Sequence, residues 1–239
     1  MIDVGLLTTI AAMLGMSWLV SRRLPLRTFP GADLVSEVMP ALGAGVLVGR
    51  LTAMALDDPG GLTRLGDIMI IRGGVEFWPG VAAGIPVLAW YARREGVDIV
   101  ARLADVAPFA LWAYATYEGM CLVRGGCFGP PSPIGLEAKG TATSLFPVGL
   151  AVALVALELG VVVLALGAQR PALAVMAAIG GLGAIRSVAA IWLPRVDAGL
   201  SRPHKESIAV TAAAAVGASV VLCRRLVRRR RTHYDVASE

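Results

Sequence analysis

Seven apolar runs, each close to the roughly 20 residues that carry a helix across a bilayer, alternate with short polar stretches along the chain. They cover about residues 4–20, 34–56, 68–91, 100–123, 145–166, 172–193 and 208–222. The runs are continuous. A β-barrel would instead show apolar and polar positions alternating over roughly 10 residues at a time. Helices suit lipid because they satisfy their own backbone polar groups. The pattern therefore predicts an all-α fold, a polytopic membrane protein of about seven transmembrane helices. The seventh run is the shortest and is Ala-rich, and the Arg and Lys that flank it can snorkel to the interface. Residues 1–231 read as a single transmembrane domain and 232–239 as a short disordered cytoplasmic tail. No soluble domain and no repeat of fixed period is evident.

Composition agrees. Of the 239 residues, 56% are hydrophobic and only 16% charged, against about 25% charged in an ordinary soluble domain. The net charge of +5 does not point to nucleic acid, because the basic residues sit in short loops and a terminal cluster. Arg22, Arg23 and Arg27 follow the first run; Arg93 and Arg94, with Arg102 close by, follow the third; Arg170 follows the fifth. Arg224, Arg225 and the arginines at 228–231 follow the seventh. If seven spans alternate, all of these share one side, and the acidic loop DDPGGLTRLGD falls on the other. The positive-inside rule then places the N-terminus outside and the C-terminus in the cytoplasm. The first run reads as an uncleaved span: Asp3 precedes it, no basic residue does, and no small-x-small cleavage site follows.

Ionisable residues within such runs are costly unless paired or facing water, so each is a candidate for function. Arg50 ends GAGVLVGR and reads either as a site residue or as an interfacial anchor. Arg72 and Glu76 are four apart in IIRGGVEFWPG, a spacing that pairs side chains on a helix. Gly73, Gly74 and Pro79 nevertheless predict a broken helix there. The bland reading of this pair is a buried structural ion pair. Glu118 calls for an arginine, with Arg124, Arg186 and Arg50 as the options. Arg124 opens the corner VRGGCFGPPSPIG, where Gly125 and Gly126 let backbone N–H groups approach an anion and a guanidinium suits phosphate. Its alternative role is a snorkelling anchor. Arg186 lies in mid-span, beside glycines 180, 181 and 183 that allow close helix packing. Together these residues suggest a pocket for an anionic lipid head group. With no CxxC and no Cys/His cluster, neither a metal nor another cofactor is expected. Cys121 and Cys127 are either bridged or, the reading preferred here, two small buried thiols. His204 is expected in an outer loop, simply exposed.

Four blocks resemble, in order, those of the prolipoprotein diacylglyceryl transferase family, over most of the chain. VGRLTAMAL is similar to its G-x-R-L block, and GGVEFWPGVAAG to its GG-x-x-F-x-x-G block. VRGGCFGPPSPIG is similar to its signature, with Arg124, Gly126, Cys127, Phe128 and Gly135 in register. GGLGAIRSVAAIWLPRVD is similar to its late arginine block, with Arg186, Arg195 and Asp197 matching. The resemblance implies an enzyme of the bacterial plasma membrane that moves diacylglyceryl from phosphatidylglycerol to the lipobox cysteine thiol of a prolipoprotein signal peptide. It implies that arginines hold the phosphate of the anionic phospholipid, and Arg124, Gly125, Gly126, Arg186, Arg50 and Arg72 are the candidate binding residues. The family's usual histidine is replaced by Trp78. Its later Asn and Glu positions are Pro130 and Ser132, and its Tyr and Glu positions after Pro147 are Ala151 and Val152. Glu118 or Glu76 is then the remaining candidate for a catalytic base. The alternative is a non-catalytic homologue acting as a lipid-binding scaffold among other membrane subunits. A transporter ranks last, because no inverted repeat of broken spans is evident.

Overall fold

A computed structural model describes residues 26–29, 34–63, 74–137, 143–193 and 200–237, with scattered residues between 8 and 22. Side chains at 35, 37 and 225–237 lie outside that description. Most of the predicted first span, the stretch 68–73 with Arg72, and Arg195 and Asp197 also lie outside it. The described chain is mostly helical: α1 (Leu34–Asp57), α2 (Phe77–Arg94), α3 (Ile99–Gly119), α4 (Val148–Gly167), α5 (Pro171–Trp192) and α6 (Arg202–Ala237). A short 3-10 turn, Pro59–Thr63, follows α1.

Five of these helices are long and apolar enough to cross a membrane: α1, α3, α4, α5 and the first 23 residues of α6. The 21 residues of α3 span about 31 Å, the thickness of a hydrocarbon core. The 18-residue α2 is shorter and ends on Arg93 and Arg94. Helix starts follow local chemistry. The Asp98 carboxylate accepts a hydrogen bond from the Ala101 N–H and caps α3, and Pro171 occupies the first turn of α5, where a missing N–H costs nothing.

The outward surfaces are apolar. Leu154, Val155, Val161 and Val162 of α4 and Val216 of α6 are all at least half exposed, as lipid-facing positions are. Inside, Tyr114, Ala115, Val152 and Ala156 form one cluster between α3 and α4, backed by Leu182 and Ile185 of α5. Small residues bring backbones close, as membrane helix packing requires. A Cβ on Gly49 would lie 2.6 Å from the Glu76 carbonyl, so α1 touches the start of α2 directly. A Cβ on Gly183 would lie 2.5 Å from Thr211 Oγ1, which sets α6 against α5. The helices form two groups. α1 packs on α2, while α3, α4 and α5 pack together and α6 lies on α5; α2 joins the second group through α3 and touches α6 only narrowly.

Three expectations change. The fold is not purely helical, because Pro131–Glu137 and Ser144–Leu145 pair as a short antiparallel hairpin with a bulge. Prolines at 130, 131 and 133 bar a helix there but are tolerated at a strand start or edge. The tail is not disordered throughout: α6 continues to Ala237, since Ala, Leu and Arg favour helix and no Pro or Gly follows Gly217. Lastly, Cys121 and Cys127 form a disulfide. α3 ends at Gly119, short of the expected 123, and positive φ at Gly125 (75°) and Cys127 (60°) turns the chain back. The two Cα atoms come to 5.8 Å, within bridging range.

Candidate functional site

The start of α2 is held open by backbone chemistry. Gly74 has φ 77°, and the chain is non-helical at 74–76 before α2 begins at Phe77; the stretch that would precede an expected break, with Gly73, lies outside the described residues. The Glu76 N–H donates to the Gly49 carbonyl at 3.0 Å. Arg50, buried, donates from Nη1 to the Gly74 carbonyl at 3.2 Å. These bonds fix Glu76 at the mouth between α1 and α2.

Glu76 meets an arginine that sequence reasoning had not singled out. Arg202, the first residue of α6, donates to Glu76 Oε1 at 3.0 Å and to Asp57 Oδ1 at 2.7 Å. This three-residue bridge ties the first helix group to α6. Beside it the Trp78 indole, standing where the resemblance expected histidine, donates to Ser207 Oγ at 2.9 Å, and Ser207 donates to the Pro203 carbonyl at 2.7 Å. Both side chains are buried. His204 is buried as well, contrary to the expectation of an exposed loop histidine, because α6 begins at Arg202 and takes it into its first turn.

Arg186 projects from α5 into the same region. Its guanidinium lies 4.1 Å over the Phe77 ring and donates from Nη1 to the Tyr114 hydroxyl at 3.0 Å. Glu118 lies close enough to that hydroxyl to act on it electrostatically. Glu118, expected to pair with an arginine, forms no ion pair among the described residues. Arg186 has no carboxylate partner among the described residues, and its Nε is buried without a hydrogen-bond partner. A cavity of about 150 Å³ opens here. Its walls include Asp57, Gly74, Glu76, Phe77, Trp78, Arg186 and Glu206. It lies on the seam between the two helix groups.

The structure therefore brings Arg186 and Glu76 together, with Arg50 one hydrogen bond away. It does not bring Arg124 to this cavity. The Arg124 guanidinium stacks 4.2 Å over Tyr117 and donates to the Tyr117 carbonyl at 3.0 Å, closing the end of its own helix. The Gly125 and Gly126 N–H groups donate to the Leu122 and Cys121 carbonyls at 3.0 Å each, so the turn itself uses these amides. Glu118 lies between the two places, with Oε2 4.0 Å from Cys127 Sγ. Asp57, Arg202 and Glu206 were missed because each stands at a helix end, where a charge reads as an ordinary anchor. Among the described residues no group of three His, Cys, Asp or Glu side chains is placed to hold a metal.

In comparisons with known proteins, no protein-family model matches the chain and no curated protein is significantly similar to it.

Proposed function

We propose that this chain is a divergent prolipoprotein diacylglyceryl transferase-like protein of the bacterial plasma membrane. It has seven spans, its N-terminus outside and its C-terminus in the cytoplasm, and it holds the phosphate of phosphatidylglycerol at Arg186. The observation that carries this reading is Arg186 itself: a mid-span guanidinium that faces a cavity, is backed by aromatic rings and has no carboxylate partner among the described residues. A fixed cation of that kind suits a phosphate, and a phosphate leaving group needs one. The topology has independent support. With the N-terminus outside, the Cys121–Cys127 bridge lies on the oxidising side, where disulfides persist. Asp57, Glu76 and Arg202 share that side.

In this reading the acceptor thiol attacks the glycerol carbon, glycerol phosphate leaves on Arg186, and a carboxylate takes the thiol proton. Arg50 supports the Gly74 turn, and Arg124 is the outer arginine at the end of α3. The test is glycerol phosphate release from phosphatidylglycerol and a lipobox peptide by protein in mild detergent. Release that is lost in Arg186→Ala supports the enzyme.

The second reading is a lipid-binding scaffold subunit that has lost the chemistry. It is favoured by the state of the two carboxylates expected to act as base. Glu76 is committed to Arg202, and Glu118 lies beside Cys127 rather than on the cavity wall. Lipid bound at Arg186 without any release of glycerol phosphate decides for the scaffold.

A further inference from the structure

Three carboxylates line the cavity, from Asp57 of α1, Glu76 before α2 and Glu206 of α6, together with Arg186 of α5. Two of the three are occupied. Asp57 and Glu76 each accept from Arg202, at 2.7 and 3.0 Å, so a proton taken by either would cost an ion pair. Glu206 stands differently. Arg202, one turn before it, and Arg186 both act on it through space, as does Glu76. Neither arginine comes within ion-pair distance, and the Glu206 side chain makes no hydrogen bond among the described residues. Its oxygens lie near two cations and are still open to a proton. The next residue, Ser207, is fixed between the Trp78 indole and the Pro203 carbonyl, and Gly183 brings α5 into contact with α6 at Thr211. Arg186 and Glu206 thus face one cavity from two helices in direct contact.

We propose that Glu206 is the catalytic base: its carboxylate takes the proton of the acceptor thiol while Arg186 holds the phosphate of phosphatidylglycerol. This inference rests on the enzyme reading above and names a residue for the step that reading left open. The sulfur keeps the S–H electron pair and forms a bond to the glycerol carbon. The bond from that carbon to the phosphate oxygen breaks, and its electron pair leaves with glycerol phosphate on Arg186. The proton passes from Glu206 to the departing phosphate or to water, which restores the carboxylate. A base is needed, because a cysteine thiol with a pKa of about 8.5 is only about 3% thiolate at neutral pH. Cation and anion then have separate tasks in one step. That accounts for an open carboxylate on the wall of a phosphate site, where charge alone would exclude one. The cavity volume of about 150 Å³ corresponds to roughly five waters at about 30 Å³ each. That is room for a phosphate and a thiol, with the acyl chains left outside in the membrane.

The test measures glycerol phosphate release from phosphatidylglycerol by the full chain in mild detergent, with a lipobox peptide as acceptor. It is run at about pH 7 and at about pH 9.5, where about nine-tenths of a free thiol is ionised. Wild type should change rate by less than about threefold between the two, because the base supplies thiolate at either. Glu206→Gln, close to isosteric, should lose about thirtyfold at about pH 7, the scarcity of free thiolate there, and return to within about threefold of wild type at about pH 9.5. Its KM for phosphatidylglycerol should stay within about twofold of wild type, since Arg186 is untouched. Retained phosphatidylglycerol, counted by native mass spectrometry, shows that the variant has folded. Glu206→Asp keeps a carboxylate and should keep part of the rate at neutral pH. A Glu206→Gln rate equal to wild type at neutral pH, or a loss that is the same at both, overturns this inference while leaving the enzyme reading in place. So does a loss repaired at high pH in Glu76→Gln or Glu118→Gln instead. A wild-type rate that climbs about thirtyfold with pH shows thiolate drawn from solution and overturns it without any variant. Wild type that releases no glycerol phosphate at either pH overturns the enzyme reading and this inference together.

Discussion

Two arginines stand at opposite ends of the bundle, one buried and one half-buried, and their surroundings differ in kind. Arg102, in the first turn of α3, is fully enclosed, ion-paired to Glu95, and stacked 4.0 Å from the Phe29 ring. Close by, the Asp105 carboxylate accepts from the Thr28 N–H and hydroxyl at 2.9 and 2.7 Å, and Arg27 donates to the Ala168 carbonyl. Every group there serves the fold. Arg186 is only half-buried, has a phenol where Arg102 has a carboxylate, and lines a cavity while its guanidinium stacks on Phe77. Depth alone does not mark a site. What marks one is a charge that faces a cavity and has no carboxylate partner among the described residues.

That comparison can be broken by exchanging both residues for methionine. Arg102→Met should cost about 3 kcal/mol of stability, since it strips a buried pair of one member, read as a lowered thermal midpoint in detergent. Arg186→Met should be neutral or stabilising by up to about 1 kcal/mol, because an unpaired charge has been replaced by apolar volume, while retained phospholipid is lost. A large destabilisation by Arg186→Met would make it a second structural arginine. Reducing the Cys121–Cys127 bridge should cost about 2 kcal/mol by the loop-closure argument, with lipid retention unchanged, since the bridge lies away from the cavity. Arg202→Ala should change stability little, because its ion pairs are partly exposed and screened by solvent. Its larger effect should be faster cross-linking between cysteines placed on α2 and α6, which reports a loosened seam. The smallest change is expected of Arg124→Ala, about 0.5 kcal/mol for a cation at a helix C-terminus. Lipid retention there should stay within about twofold of wild type. Loss of lipid as complete as in Arg186→Met would return Arg124 to the site.

Much of the helical layout was legible because lipid demands it. Apolar runs of about 20 residues have few alternatives. Arg186 was also legible, since a mid-span guanidinium stands out against its neighbours. The rest depended on tertiary structure. Arg202 bridges residues 126 and 145 positions away, and nothing local announces that Asp57 and Glu76 will meet there. Glu206 reads as a loop-end carboxylate until α6 starts four residues before it. The bridged cysteines turn on two positive φ values in six residues, and six-residue spacing alone does not predict them. At Arg124, the same glycines that suggested an anion cradle fold back to close the helix, a choice between two local hydrogen-bond patterns that composition does not decide.

The length of α6 has a mechanical side. Its 36 residues make a rod of about 54 Å with no Pro along it after Pro203 and no Gly after Gly217. Arg202 and Glu206 are at one end of this rod, and the arginine run at 228–231 lies near the other. A rod of that stiffness moves as one piece. Whatever seizes the basic end and tilts it also swings the cavity end, and the Arg202 bridge is where that torque is felt.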